Sequence, residues 1–96
     1  MPRIVRINDY NMSIEAEQHM LIVPHENKPA MVAKVATVVG EHNININRMQ
    51  VAQKSNKKDN VSIMLLTIDK DVDDETLSTI NKIDGIHNAQ QIKLNA

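Results

Sequence analysis

Hydrophobic residues in the first half of the chain change from a continuous run to a helical period. Met20 to Val23 is apolar throughout, which predicts a buried strand ending at Pro24. Beyond this strand the apolar positions recur every three or four residues, so a helix is predicted over about residues 28–42. Its boundary residues are Asn27 as the candidate N-cap, Pro29 in the first turn and Asn43 as a left-handed residue at the end.

The second half of the chain repeats this succession of strand and helix. In Ile44 to Val51 the apolar positions shift from even to odd numbers, which predicts a strand with a bulge near Asn47 and Arg48. A polar loop, 54–60, separates it from Val61 to Ile68, which is apolar on both faces and therefore predicts an interior strand.

A second helix and a last strand complete the pattern. Acidic residues favour a helix start, an apolar stripe follows at helical spacing, and a glycine marks the stop. The acidic residues are Asp71, Asp73, Asp74 and Glu75, the stripe is Leu77, Ile80 and Ile83, the stop is Gly85, and the last strand is predicted from Ile86 to Leu94.

The predicted element order defines the fold class. Residues 18–96 are expected to form an α+β, ferredoxin-like βαββαβ domain, with a four-stranded antiparallel sheet and two helices on one face. Residues 1–17 are expected to form a separate hairpin and linker, the tail of a preceding domain. The hairpin is predicted from Ile4–Ile7 and residues 10–14, turning on Asn8 and Asp9.

The apolar pattern also predicts a partner. Two helices cover only one face of a sheet, yet residues 20–23 and 61–68 are apolar toward both faces. The hairpin, a neighbouring domain or a second copy could cover the other face. A homodimer or higher homo-oligomer, paired edge to edge or face to face, is therefore expected.

Composition excludes several classes of protein. The 96 residues suit one small domain, and the absence of cysteine removes disulfides and thiolate chemistry. With no Phe or Trp and a net charge of −1, the chain lacks the stacking rings and positive charge of a nucleic-acid binder. No apolar run could cross a membrane, so no membrane partner and a cytoplasmic location are expected.

The candidate chemistry of metals, cofactors and catalysis is sparse. The four histidines show no metal-ligand spacing, and no serine lies in a nucleophile motif, so neither a metal site nor a catalytic residue is predicted. Gly40 and Gly85 are the only glycines, which leaves no glycine-rich dinucleotide loop and no cofactor site. An autonomous enzyme is therefore the weakest hypothesis.

The loop between the first buried strand and the first helix is the candidate binding site. Free amides at a helix start favour a carboxylate, and the side chains of His25, Asn27 and Asn45 could hold the rest of a zwitterion. An alternative remains open on the residues alone. In it Asn27 only caps the helix, His25 is exposed and Asn45 bonds a loop backbone.

The segments 20–29, 35–39, 40–46 and 49–51 together resemble an ACT domain, and within that family the carboxy-terminal regulatory domains of D-3-phosphoglycerate dehydrogenases. The resemblance covers almost the whole chain and implies a fragment of an NAD-dependent oxidoreductase, with NAD bound elsewhere in the parent enzyme. It also implies feedback inhibition by L-serine, bound between two ACT domains. The ligand-binding residues it implies are His25, Asn27, Lys28, Pro29, Ala30, Asn45 and Ile46, with Asn45 supplied by the partner chain.

One residue departs from the family pattern. The position after the loop proline is typically glycine, and here it is Ala30, whose methyl group could crowd a ligand carboxylate. Two alternatives follow. The chain could be the similar terminal domain of an L-serine dehydratase beta subunit, or a dimerisation module that has lost its ligand.

Overall fold

The computed structural model describes residues 4–7, 12–15, 19–53 and 61–93. They form six strands and two helices in the order βββαββαβ. The elements are β1 (Ile4–Ile7), β2 (Met12–Glu15), β3 (His19–Glu26), α1 (Met31–Glu41), β4 (Ile46–Gln53), β5 (Val61–Ile68), α2 (Asp74–Asn81) and β6 (Gln90–Lys93).

The last four strands form one antiparallel sheet in the order β4-β5-β3-β6. β5 pairs with β3 on one side and with β4 on the other, so β3 and β5 are central and β4 and β6 lie at the edges. β1 and β2 form a separate two-stranded sheet. The α+β, ferredoxin-like βαββαβ prediction is confirmed, with the amino-terminal hairpin outside the main sheet.

Both helices pack on the same face of this sheet. A single apolar cluster joins Leu21 and Val23 of β3, Leu66 of β5, Val39 of α1 and Ile80 of α2, all between 0% and 5% exposed. β-Branched and aliphatic side chains fill this layer without aromatic residues, as the composition predicts. The shared core fixes the two helix starts relative to the sheet.

The opposite face of the sheet is also buried. Met20 and Leu65 form a second, smaller cluster, and Ile63 and Thr67 beside them are each 2% exposed. Since these values refer to one chain, the chain itself covers the middle of this face. The apolar pattern of β5 is therefore explained without a second copy, and the argument for a partner on this face is removed.

Several local predictions are confirmed by the structure. β5 has the predicted bounds, Val61–Ile68. The pairing of β4 with β5 shifts register between Ile46 and Arg48, which is the predicted bulge. Asn43 has a φ of 61°, the left-handed conformation expected after α1.

The prediction that the first buried strand ends at Pro24 is wrong, because β3 continues to Glu26. The β3–β6 ladder stops at the pair Ile22 and Gln90, and beyond it a single bridge joins His25 to Ile86. Pro24 lies between these two pairings and accepts a hydrogen bond from the His87 amide at 2.8 Å. A proline without an amide hydrogen is tolerated where the ladder is interrupted.

The predicted start of α1 is also wrong. The helix runs from Met31 to Glu41 rather than over 28–42, and its N-cap is Ala30 rather than Asn27. Pro29 disfavours helical geometry in the residue before it, and Ala30 adopts a left-handed conformation that no helix can include.

Three further boundaries differ from the predictions. α2 ends at Asn81, four residues before Gly85, and β6 begins at Gln90 rather than Ile86. β4 begins at Ile46, two residues later than expected. In the described part of the hairpin, β2 covers Met12–Glu15 and Ile7 pairs with Met12, while residues 10 and 11 lie outside the described residues. The predicted turn at residues 8 and 9, the polar loop 54–60 and Leu94 lie outside the described residues.

Candidate functional site

His25 occupies the end of β3 on the face that carries the helices. Its side chain follows Leu21 and Val23 in the alternation of the strand and is 4% exposed. The ring Nδ1 lies 2.8 Å from the carbonyl oxygen of Glu26, so Nδ1 carries a proton and donates it. The other nitrogen, Nε2, is buried and has no hydrogen-bond partner. An unpaired buried polar atom costs about 1–3 kcal/mol, which a ligand can recover.

The start of α1 is equally short of partners. The N-cap residue Ala30 offers no side-chain hydrogen bond, and the first turn contains no acidic residue. The first backbone bond of the helix runs from the Lys34 amide to the Ala30 carbonyl at 3.0 Å. No side chain of the described residues therefore caps the amides of residues 31–33. Such amides, together with the helix dipole, favour an anion.

The backbone conformation of Ala30 shows why glycine suits this position. Its φ of 69° and ψ of 4° lie in the left-handed region, which glycine adopts freely. A side chain there costs about 1–2 kcal/mol. The alanine therefore keeps the geometry of the turn at the expense of stability, and its methyl group lies at the N-cap of the uncapped helix.

Charged side chains surround this turn. Lys28 Nζ lies 3.5 Å from Asp84 Oδ2 and 3.5 Å from Glu26 Oε1, and His87 Nε2 lies 3.8 Å from Glu26 Oε2. The carboxylate of Asp84, followed by that of Glu26, raises the pKa of Lys28. The ammonium group is exposed, so these pairs contribute little to stability and instead set the local charge.

The segment between α2 and β6 supports the turn from the other side. The Glu26 amide donates to the Gly85 carbonyl at 2.8 Å. Gly85 has a φ of 97°, and a Cβ atom there would lie 3.3 Å from Sδ of Met31, the first residue of α1. Gly85 therefore allows close packing against the start of α1. The sequence predicts it as the residue that ends α2, but α2 ends at Asn81.

Asn45 and Ile46 lie at the opposite end of the sheet. His25 pairs with Ser62 at the start of β5, whereas Ile46 pairs with Ile68 at its end. Six residues of extended strand separate these two pairings, which corresponds to about 20 Å. Within one chain the structure brings together residues 25–30 of the predicted site and leaves Asn45 and Ile46 away from them.

Asn45 is exposed and hydrogen-bonded to Asp69. Its side-chain Nδ2 donates to Asp69 Oδ2 at 3.2 Å, and its backbone amide donates to Asp69 Oδ1 at 3.0 Å. Asp69 and the residues around Gly85 were missed as site neighbours from sequence. Only the sheet order, which aligns the end of β5 with the start of β4, could have indicated Asp69.

The alternative interpretation of these residues is contradicted at its first two points, because Asn27 does not cap α1 and His25 is buried rather than exposed. At the third point, the Asn45 side chain bonds the Asp69 carboxylate, while its backbone carbonyl accepts from the Asp69 amide. The side chains of Asn27, Lys28 and Pro29 are exposed at the turn, where they are accessible to a ligand.

An apolar cavity of about 350 Å³ lies near the site but does not include it. It is shallow and widely open to solvent, and it contains none of the predicted binding residues. Its lining residues are Ala33, Lys34, Thr37 and Val38 of α1, with Ile83 after α2.

Neither a metal-ion cluster nor a membrane-spanning helix occurs in the described residues. Over residues 4–7, 12–15, 19–53 and 61–93, the structure contains no group of three acidic or histidine side chains that could hold a metal ion. In the same residues no helix has the length and apolar character needed to cross a membrane.

The fold and the site together define the class: a ferredoxin-like domain with an uncapped helix start beside a buried histidine. The sequence model of the ACT domain matches residues 19–85, and the chain belongs to the ACT domain family. The ACT domain of the GTP pyrophosphokinase from Chlorobium tepidum is a structural neighbour, with a TM-score of 0.58 and 18% identity over 77% of this chain and 95% of that one. At that identity it supports the fold alone.

Among sequence relatives, the D-3-phosphoglycerate dehydrogenase of Archaeoglobus fulgidus is 36% identical over 96% of this chain. That of Synechocystis is 33% identical over the same share. The probable L-serine dehydratase beta chain of Bacillus subtilis is 26% identical over 86% of this chain and 37% of its own length. The chain spans only 18% and 16% of the two dehydrogenases, so it corresponds to a small part of each.

Proposed function

We propose that this chain is an amino-acid-binding regulatory domain, and that L-serine is its ligand and the feedback inhibitor of a D-3-phosphoglycerate dehydrogenase. The observation that carries the proposal is the buried, unpartnered Nε2 of His25 at the end of β3, which leads by a short loop into the uncapped start of α1. A dehydrogenase relative that is 36% identical over nearly the whole chain supports the parent enzyme.

The chemistry of the turn suits a small zwitterion. The amides of residues 31–33 and the Lys28 ammonium favour a carboxylate. Because His25 Nδ1 carries the proton that Glu26 accepts, Nε2 of the neutral ring can accept a hydrogen bond from a ligand hydroxyl or ammonium. Asn27 adds an exposed amide that can donate or accept.

Pairing through the β4 edge would complete this site with a second copy. β4 is an edge strand, and its end lies across β5 from His25. If two β4 strands pair antiparallel, the twofold axis brings the start of one beside the end of the other. Asn45 of the second copy then lies about three strand spacings, roughly 14 Å, from His25 of the first, which is closer than the separation of about 20 Å along the sheet within one chain.

Calorimetric titration tests ligand binding. We expect heat on adding L-serine, less with glycine or L-alanine, and loss of the serine signal in Asn27→Ala. Gln90→Ala, which removes an exposed amide from β6, is the matched control and should bind as the original chain does. No heat with any of the three amino acids would contradict the proposed ligand class.

Mixing two variants tests whether the site is shared. Asn27→Ala and Asn45→Ala should each fail to bind alone, whereas a mixture should regain binding. Each mixed dimer then has one turn with Asn27 facing an intact Asn45. Light scattering over a dilution series should show a dimer. A monomer, or a mixture that stays silent, would contradict a site between copies.

A second candidate parent rests on the similarity to the L-serine dehydratase beta chain. The two candidates share a ligand class, so binding does not separate them. The reading frame around this segment does, because the two parents place different domains before it.

A further inference from the structure

Asn45 and Asp69 form a closed set of hydrogen bonds at the sheet end opposite His25. The backbone and side chain of Asn45 donate to the two carboxylate oxygens of Asp69, at 3.0 and 3.2 Å. The Asp69 amide returns a bond to the Asn45 carbonyl at 3.2 Å. Both side chains are exposed, so apolar packing does not hold the amide in place. The carboxylate does.

This arrangement fixes the polarity of the Asn45 side chain. An ionised carboxylate only accepts hydrogen bonds, so the amide group that faces Asp69 must be the NH₂. The carbonyl oxygen Oδ1 therefore faces away from Asp69 and accepts no hydrogen bond from the described residues. Asp69 thus converts an amide that could donate or accept into one that presents an acceptor.

The two ends of the sheet offer different groups to a ligand. The turn at residues 28–33 offers uncapped amides, which favour a carboxylate, beside a Lys28 ammonium group already paired with Glu26 and Asp84. The other end combines an outward carbonyl with the negative charge of Asp69 and favours a donor, above all a cation. Antiparallel pairing of β4 edges would set these two ends against each other.

We propose that Asp69 is a positioning residue that directs Asn45 Oδ1 toward the α-ammonium group of the ligand. It thereby selects amino acids over the corresponding α-hydroxy acids. This inference rests on the proposed function, because it needs a zwitterion bound between two copies.

The discriminating probe is a pair of ligands, L-serine and glycerate, in which a hydroxyl replaces the ammonium group. The chain should bind L-serine at least about tenfold more tightly than glycerate. Asp69→Ala should weaken L-serine about tenfold and glycerate hardly at all, so that the preference disappears. Asp74→Ala, which removes the same charge from an exposed position, should keep the preference.

A double exchange provides the rescue. In Asn45→Asp with Asp69→Asn, the amide and carboxylate trade places, the bond between them persists and an acceptor still faces outward. We expect the preference for L-serine to return. If Asp69→Ala weakened both ligands equally, or weakened neither, the preference for L-serine would be unchanged. Either result would overturn the inference and leave the proposed function standing.

A measurement without ligand tests the geometry alone. The side-chain amide signals of Asn45 in a ¹H–¹⁵N spectrum should move in Asp69→Ala and stay in place in Asp74→Ala. Unmoved signals would overturn the inference even if serine binds. If the unaltered chain binds no amino acid, the inference falls together with the proposed function.

Discussion

The two helices begin in contrasting ways. At α2, Asp73 is the N-cap, its Oδ1 accepts from the Thr76 amide at 2.7 Å, and Asp74 and Glu75 place negative charge in the first turn. At α1, Ala30 has no capping oxygen and the first turn has no acidic residue. One helix start is capped by its own side chain, whereas the other has no side-chain cap among the described residues.

The start of α2 is stabilised by its own side chains, whereas the start of α1 is the proposed ligand-binding element. A capped and acidic start stabilises a helix by about 1 kcal/mol or more. α1 forgoes this stabilisation and also keeps a left-handed alanine at its N-cap. A helix start that gives up local stability beside a buried histidine is what a binding site for an anion requires.

The largest expected effect comes from giving α1 the acid that α2 has. Ala33 is exposed at the third position of α1, where the carboxylate of a glutamate would lie at the helix start. Ala33→Glu should weaken L-serine binding by at least about tenfold, because its carboxylate occupies the place of the ligand's. Calorimetry checks the affinity, and Ala33→Gln controls for size. Equal losses in both variants would point to crowding instead.

Relaxing the left-handed N-cap should have the next largest effect. Ala30→Gly should raise the free energy of unfolding by about 1 kcal/mol, because glycine carries no penalty at a φ of 69°. Thermal denaturation measures the change. Ala36→Gly, within α1, should lower stability by at least about 1 kcal/mol. The opposite signs distinguish a conformational cause from a general effect of glycine. If Ala30→Gly also destabilised the chain, the left-handed geometry would be contradicted.

The cap of α2 should give a smaller effect that depends on pH. Hydrogen bonds from the side chain and then the backbone of Thr76 lower the pKa of Asp73 below its ordinary 3.8. Stabilisation by this lowered pKa is present above about pH 4 and is lost as the pH falls below 3.8 through the folded value. Asp73→Asn keeps the cap and should flatten the acid limb of a melting-temperature profile. An unchanged limb would mean that other carboxylates dominate it.

The smallest effect is expected at the rim of the turn. Asp84 is 93% exposed and pairs with Lys28. Asp84→Asn should leave the melting temperature unchanged and change L-serine affinity by less than about threefold, with tighter binding at low salt. A large loss of affinity would show that Asp84, and not the helix start, organises the site.

The elements predicted best from sequence are those whose pattern is set by burial. β5 is buried at seven successive positions, five of them apolar, and was predicted with its correct bounds. The bulge in β4 followed from a change in apolar parity. The predicted start of α1 failed because Asn27 is a good N-cap by propensity. The backbone geometry of Pro29 and Ala30 prevailed over that propensity.

The site was predicted as a set of residues but not as an arrangement. The burial of His25 and the proximity of the turn to Gly85 depend on strand order, which brings residues 24–26 beside 85–87. The bond between Asn45 and Asp69 joins residues that are 24 positions apart. Periodicity reports the face on which a residue lies, but it does not report its neighbours on the adjacent strand.

The most direct test of the account compares the two helix starts in one experiment. A ¹H–¹⁵N spectrum recorded during titration with L-serine reports on the backbone amides of residues 31–33 and of residues 74–76. We expect saturable shifts at the start of α1 and none at the start of α2. Unchanged amides at residues 31–33, or equal shifts at both starts, would contradict the claim that α1 leaves its start open for an amino-acid carboxylate.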